Sequence, residues 1–99
     1  MTSLSKNDFG QVLQSKLSSD LSALIIKHNN AQAQISLQGG QVLSWQPTGE
    51  KEVFWLSKNS ALEQGKAIRG GIPLCWPWFG VHPKDSQNKE GNHGFARCQ

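Results

Sequence analysis

Alternating apolar and polar residues characterise the chain between positions 21 and 57. The clearest stretch is 31–38, where four apolar residues alternate with three glutamines and one serine. A period of two is typical of a β-strand that has one buried face and one solvated face. Gly39-Gly40 follows directly, and two successive glycines permit a tight hairpin turn. The pattern therefore predicts a strand at 31–38 that turns back at these glycines.

Three further strands are predicted at 21–27, 41–46 and 53–56, where Leu, Ile, Val and aromatic residues cluster. Turn-forming residues separate them, Asn29-Asn30 before the hairpin and Pro47-Thr48-Gly49 after it. Consecutive short strands joined by short turns pair most simply with their neighbours in sequence. Residues 21–57 are therefore predicted to form an antiparallel β-meander.

The regions outside this meander are less regular. Apolar residues at positions 9, 12, 13 and 17 have a weak helical spacing that Gly10 opposes, so residues 1–20 are expected to form a short helix or a loose arm. Residues 60–65 are expected to form a single helical turn. Residues 67–80 are rich in Gly, Pro and Trp and predict no regular structure, and 81–92 is expected to be a polar loop.

Length and composition indicate one small globular domain. The 99 residues include 36% hydrophobic and 17% charged residues, which is near ordinary values. No apolar run is long enough to span a membrane, and no N-terminal apolar segment indicates a secretory signal. The cytoplasm is therefore the expected compartment. Cys75 and Cys98 do not form the pattern of a disulfide scaffold.

Charge and metal-ligand spacing argue against two further classes of site. The net charge is only +3 and the basic residues are scattered along the chain, so nucleic acid is not an expected partner. Potential metal ligands lack both helical i, i+4 spacing and C-x-x-C spacing, so no metal site is predicted. These residues are His82, Asp85, His93 and Cys98.

The first segment with candidate chemistry is 67–80. Arg69 precedes Gly70-Gly71, and an Arg beside a glycine turn can present its planar guanidinium to a carboxylate or a phosphate. Trp76 and Trp78 are two residues apart and share a face if the segment is extended. Their rings suit either a platform for a sugar or a hydrophobic core.

The second segment with candidate chemistry is 93–97. It begins with His93, a residue type that can titrate near neutrality, and ends with the second arginine, Arg97. From the residues alone, structural roles are commoner than functional ones. An Arg near glycines is usually solvated, Trp residues in such a segment usually belong to the core, and a loop His is usually exposed.

Three motifs resemble those of the hexose-6-phosphate mutarotases, the glucose-6-phosphate 1-epimerase branch of the aldose 1-epimerase superfamily. In chain order they are Ile68-Arg69-Gly70-Gly71-Ile72-Pro73, Trp76-Pro77-Trp78-Phe79-Gly80 and His93-Gly94-Phe95-Ala96-Arg97. The segment Gly39-Gly40-Gln41-Val42-Leu43-Ser44-Trp45 is similar to an early strand pair of the same family. The resemblance extends over residues 21–97, and residues 1–20 contribute nothing to it.

This resemblance implies an all-β fold, in which residues 21–99 form the N-terminal part of a galactose-mutarotase-like antiparallel β-supersandwich. It also implies an isomerase that interconverts the α and β anomers of a hexose 6-phosphate, with no metal or organic cofactor. The sugar ring must open and reclose, which needs a general base for the anomeric hydroxyl and a general acid for the ring oxygen. In the family, a Glu and a His typically fill these roles.

The resemblance also implies a set of substrate-binding residues. Arg69 and Arg97 match positions that bind substrate, and the phosphate is the group they are expected to bind. Asn92, a shorter amide, stands where some members have a Gln that contacts substrate, and it is included among the candidate substrate-binding residues. His93 is expected to bind or orient substrate, not to act as the catalytic acid. Trp76 joins this set as the candidate sugar platform.

Members of the family are much longer, and their catalytic His and Glu lie C-terminal to the last motif. No carboxylate of this chain matches a catalytic position; the carboxylates are Asp8, Asp20, Glu50, Glu52, Glu63, Asp85 and Glu90. The chain is therefore expected to be an incomplete N-terminal portion that binds sugar phosphate but has no catalytic residue and is inactive alone. We expect it to expose a sheet edge and an apolar face, covered by a missing C-terminal portion or by self-association.

A second interpretation is a non-catalytic carbohydrate-binding module for anionic sugars. Trp76 and Trp78 would then form the platform, and Arg69 would select for negative charge. Affinity that does not depend on the phosphate would favour this interpretation over the first.

Overall fold

Residues 1–84 and 91–99 are described by a computed structural model of the chain. Five strands form a single antiparallel sheet whose strand order follows the sequence. They are β1 (Thr2–Lys6), β2 (Gly10–Lys16), β3 (Ser22–His28), β4 (Ala31–Ser36) and β5 (Val42–Pro47). A short 3-10 helix, Ala96–Cys98, lies near the C-terminal end. The expected all-β fold is confirmed, and β3, β4 and β5 are the first three strands of the predicted meander.

Residues 1–20 differ from the prediction of a helix or loose arm, because they contain the hairpin of β1 and β2. The Asn7 side chain closes its turn by accepting hydrogen bonds from the N–H groups of Phe9 and Gly10 at 2.9 and 3.1 Å. Gly10 lies where β2 meets β3, and a Cβ there would be 2.8 Å from the Cα of His28. The glycine that weakened the helix prediction is therefore the residue that allows close pairing of two strands.

Two other predicted elements are not found. Residues 53–56 make only an isolated bridge between Leu56 and Gly70, because the opposing segment is glycine-rich and irregular. Residues 60–65 contain no helical turn; instead, the Lys66 N–H donates to the Glu63 carbonyl at 3.1 Å, around a left-handed Gly65. The predictions of irregular structure at 67–80 and of a tight turn at Gly39-Gly40 are both confirmed.

A small core joins the sheet to the irregular second half of the chain. Leu21, Leu43 and Ile68 are each no more than 3% exposed and pack together. Leu21 directly precedes β3, Leu43 belongs to β5, and Ile68 comes from the loop after the sheet. Burial of Ile68 therefore holds the neighbouring Arg69 at a fixed place beside the end of the sheet. Within residues 1–84 and 91–99, no helix has the length and apolar character needed to cross a membrane.

Candidate functional site

A pocket of about 810 Å³ lies between the loop after β5 and the C-terminal segment. Its walls consist of Ser57, Asn59, Ala61, Lys66, Ala67, Arg69, Asn92, His93 and Arg97. Four of the five residues predicted to bind substrate are therefore brought together here, although they come from segments more than twenty positions apart in sequence. The fifth, Trp76, is not among the residues that form the pocket.

Arg69 has a fixed backbone and an exposed side chain. Its N–H donates to the hydroxyl of Ser60 at 2.9 Å, and its carbonyl accepts from the N–H of Ser57 at 2.8 Å. The preceding residue, Ile68, is buried in the core. A long cationic side chain on an anchored backbone loses less conformational freedom when it binds a ligand than one on a mobile loop.

Gly70 and Gly71 allow this loop to lie directly against two other segments. Both have positive φ, 134° and 60°, which L side chains rarely adopt. A Cβ on Gly70 would also strike the backbone of Leu56, and one on Gly71 would strike the carbonyl of Val42. The glycines are therefore required by close backbone approach, and they direct the chain back onto β5 immediately after Arg69.

Arg97 approaches the pocket from the 3-10 helix. Its Nη2 donates to the carbonyl of Asn92 at 3.2 Å, so this pocket residue is held through its backbone and not through its amide side chain. Within the part of the chain that the structure describes, the buried Nε of Arg97 has no hydrogen-bond partner. Leaving a buried guanidinium N–H without a partner is costly.

His93 is oriented by two hydrogen bonds to one residue. Its N–H donates to the carbonyl of Gly80 at 2.8 Å, and its Nδ1 accepts from the Gly80 N–H at 2.9 Å. Because Nδ1 accepts, the proton of the neutral ring is on Nε2, which makes Nε2 the donor. The His93 backbone has φ of 67°, and its ring lies 4.8 Å from that of Phe79. An imidazole held in one orientation suits the predicted orienting role.

Trp76 supports the site from outside it. Its carbonyl accepts from the N–H groups of Phe95 and Ala96 at 3.0 and 3.1 Å, which ties the 76–80 segment to the segment that carries Arg97. Its ring is 64% exposed and meets Phe95 edge to face at 6.2 Å. A Cβ on Gly94 would strike the Trp76 backbone at this contact. The structure therefore gives Trp76 a backbone role in addition to an exposed aromatic surface.

The charge of the pocket is positive. Arg69 and Arg97 are the only two arginines of the chain, and Lys66 is a third cation in the pocket wall. Lys66 pairs with Glu63 at 2.9 Å on the exposed surface. Among residues 1–84 and 91–99, neither guanidinium has a carboxylate within ion-pair distance. Two arginines in one pocket, neither paired with a carboxylate among these described residues, favour binding of an anion.

The carboxylates of the described residues lie outside this pocket. None of the five carboxylates in the described residues is in its wall; these are Asp8, Asp20, Glu50, Glu52 and Glu63. Asp85 and Glu90 lie outside the described residues. The described residues also contain no cluster of three His, Cys, Asp or Glu side chains suited to a metal ion.

Sequence reasoning missed several residues that build the site. Ser57 and Ser60 hold the Arg69 backbone, and Lys66 adds positive charge. Gln38 and Gln41 were seen only as polar positions of strands, although both are buried. Gly39-Gly40, the glycines between the two glutamines, could have indicated this burial. Buried amides beside a tight turn can hydrogen-bond to the backbone of a neighbouring irregular segment.

Comparison with known proteins decides the family. The sequence profile of the family described as Aldose 1-epimerase matches residues 22–99. The chain belongs to the aldose 1-epimerase family. It is 45% identical over 86 residues to a provisionally named glucose-6-phosphate 1-epimerase of Salmonella typhimurium, and 46% identical over 86 residues to one of Escherichia coli. Both alignments cover 87% of this chain and 28% of the relative.

The fold agrees with that of a solved structure. A crystal structure of a provisionally named mutarotase from Salmonella typhimurium superposes with a TM-score of 0.80 at 40% identity. The superposition covers 99% of this chain and 30% of that protein. The predicted resemblance to mutarotases is therefore confirmed, and the chain spans less than a third of the length of these relatives.

Proposed function

We propose that this chain provides the phosphate-binding part of an enzyme that interconverts the α and β anomers of hexose 6-phosphates. The observation that supports this most directly is that Arg69 and Arg97, from distant segments, line one pocket. Among the described residues, neither has a carboxylate partner. Membership of the aldose 1-epimerase family and the names of its relatives support the sugar phosphate as substrate.

The chemistry of the two arginines fits a phosphate monoester. A guanidinium presents parallel N–H groups that bind two phosphate oxygens at once, a geometry that Lys does not provide. A phosphate monoester carries close to two negative charges near neutral pH, which two arginines balance. Asn92 and His93 stand beside them in the pocket wall and can donate hydrogen bonds to sugar hydroxyls.

We assign neither the acid nor the base of the reaction to a described residue of this chain. Anomer exchange needs a base for the anomeric hydroxyl and an acid for the ring oxygen. His93 accepts at Nδ1 from Gly80 and is assigned to orienting the substrate. No described carboxylate is in the pocket wall to act as the base. We therefore expect the chain alone to bind glucose 6-phosphate without accelerating its mutarotation.

Titration calorimetry of the wild type and of Arg69→Ala tests the phosphate site. We expect Arg69→Ala to lower the affinity for glucose 6-phosphate roughly tenfold or more, because a charged hydrogen-bond partner is lost. Lys51→Ala is the matched control, since it removes an exposed cation that is not part of the pocket. Its affinity should equal that of the wild type.

Glucose provides the second arm of this experiment. If Arg69 and Arg97 bind the phosphate, glucose should bind far more weakly than glucose 6-phosphate. Equal affinity for the two sugars, unchanged in Arg69→Ala, would contradict the phosphate site. That outcome would favour the carbohydrate-binding module, for which the exposed ring of Trp76 is the available platform.

A further inference from the structure

The turn between β4 and β5 is built from two buried glutamines that flank two glycines, Gln38-Gly39-Gly40-Gln41. Gln38 is 7% exposed and Gln41 is fully buried. Burying an uncharged amide is unfavourable unless its hydrogen bonds are made, so the partners of these side chains are informative. Both side chains bond to the main chain of the segments that carry the cations of the pocket, although the buried Oε1 of Gln41 has no partner among the described residues.

Gln41 holds the backbone on both sides of Arg69. Its Nε2 donates to the carbonyl of Ile68 at 3.0 Å and to the carbonyl of Gly70 at 2.7 Å. With the bonds from Ser57 and Ser60, the N–H and the carbonyl of Arg69 and the carbonyls of both its neighbours are therefore hydrogen-bonded. These hydrogen bonds do not involve the guanidinium, but they fix its backbone and so restrict the positions that it can reach.

Gln38 connects two segments that line the pocket, the loop before Arg69 and the segment that carries Arg97. Its Nε2 donates to the carbonyl of Lys66 at 2.8 Å and to that of Arg97 at 3.2 Å, and its Oε1 accepts from the Gly65 N–H at 2.8 Å. One side chain thus bonds to the loop that precedes Arg69 and to the residue that carries the second guanidinium. The Gln38 amide therefore holds the loop before Arg69 and the segment of Arg97 at a fixed distance from each other.

Gly39 keeps the turn in direct contact with the Arg97 backbone. A Cβ on Gly39 would lie 2.7 Å from the Cα of Arg97, and Gly39 itself has φ of 71°. The Gly39 N–H also donates to the carbonyl of Gln99 at 2.8 Å. The turn therefore contacts the 3-10 helix through both its backbone and the Gln38 side chain.

We infer that Gln38 and Gln41 are positioning residues that fix the spacing of Arg69 and Arg97, and hence the affinity of the pocket for a phosphate monoester. This inference rests on the proposed function for its ligand. It extends that function because it assigns the geometry of the anion site to a turn that does not touch the anion. The two glutamines act through the arginines, so their effect should vanish when the arginine is removed.

A double-mutant cycle tests this dependence with glucose 6-phosphate as the probe. Gln41→Met keeps the side-chain length but cannot donate to the two carbonyls, and we expect it to lower affinity roughly three- to thirtyfold. In the Arg69→Ala background, the same change should have no further effect. Gln38→Met should behave in the same way with Arg97→Ala, and it provides the test if Gln41→Met does not fold.

Gln46→Met is the matched control. Gln46 also donates from Nε2 to a backbone carbonyl, that of Glu50 at 2.9 Å, but it is exposed and is not part of the pocket. It should leave affinity unchanged. Additive losses of affinity in the cycles, or equal losses in Gln46→Met and the turn variants, would mean that the glutamines only stabilise the fold and would overturn the inference.

Hydrogen exchange of the wild-type chain separates failure of this inference from failure of the proposed function. The Gly65 N–H lies in an exposed turn and is bonded to Gln38, so we expect it to exchange slowly. The N–H of Gly49, in another exposed turn, makes no hydrogen bond among the described residues and should exchange quickly. Equal exchange rates of the Gly65 and Gly49 N–H groups would refute the hydrogen bond from Gly65 to Gln38, whether or not glucose 6-phosphate binds.

Discussion

Glu52 is a charged residue whose surroundings shift its pKa. It lies outside the pocket and caps the free edge of β5, accepting hydrogen bonds from the Trp45 and Phe54 N–H groups at 2.9 and 3.0 Å and from the Ser44 hydroxyl. Partial desolvation acts to raise the pKa of Glu52, but these hydrogen bonds outweigh it and lower the pKa. A carboxylate at this edge therefore stabilises the irregular segment that follows β5.

This lowered pKa predicts a pH-dependent contribution to stability. Because the folded state binds the Glu52 proton less tightly than the unfolded state, the contribution is complete above the unfolded pKa of about 4.3. It disappears as the pH falls through the lower, folded pKa. Urea unfolding of the wild type and Glu52→Gln, from about pH 7 to about pH 3, should show a wild-type advantage that shrinks at the acid end.

Glu50→Gln is the control for this titration. Among the described residues, the Glu50 carboxylate makes no hydrogen bond or ion pair, so its removal should not change the pH dependence. A constant difference between the wild type and Glu52→Gln across the pH range would show that the edge bonds do not depend on the charge.

At the scale of elements, the sequence predicted strands best where apolar and polar residues alternate. Strand β4 alternates strictly, and its turn at Gly39-Gly40 follows from two left-handed residues. Strand β1 is exposed throughout, so it has no apolar alternation to reveal it. The accidental helical spacing of the next apolar residues then favoured the wrong element. The Asn7 turn and Gly10 were the signals that could have corrected it.

Four of the five candidate substrate-binding residues line one pocket, but the bonds that support them were not predictable from the sequence. Arg69, Asn92, His93 and Arg97 were identified from motifs, and all four line the pocket. Their support comes from bonds between segments far apart in sequence, such as Gln41 to Ile68. No local pattern encodes such a bond, because a buried glutamine and an exposed glutamine look alike in a strand.

The loop that carries Arg69 predicts a difference between two glycine substitutions. Gly49→Ala meets no atom within 4 Å and should lose only the cost of a left-handed residue, about 1–2 kcal/mol. Gly71→Ala has a similar φ but directs its Cβ onto the carbonyl of Val42, so it should lose clearly more. Urea unfolding of both variants measures this difference. Equal losses would mean that the loop does not pack on β5 as closely as described.

The whole molecule has more surface than a compact domain of its mass. Its accessible surface is 6941 Å² and its radius of gyration is 15.4 Å, against about 5,600 Å² and about 13 Å for compact proteins of this size. Several large apolar side chains are exposed in the second half, including Trp55 at 72% and Phe79 at 79%. Self-association, or coverage by further segments such as those of the longer relatives, remains our prediction for this surface.

The most direct test of the phosphate site is a two-dimensional amide NMR spectrum of the 99-residue chain titrated with glucose 6-phosphate. We predict dispersed peaks, with shifts concentrated at Arg69 and at residues 92–97, and much smaller shifts with glucose at the same concentration. A dispersed spectrum whose Arg69 and Arg97 amides do not respond to glucose 6-phosphate would contradict the assignment of these arginines to a phosphate site.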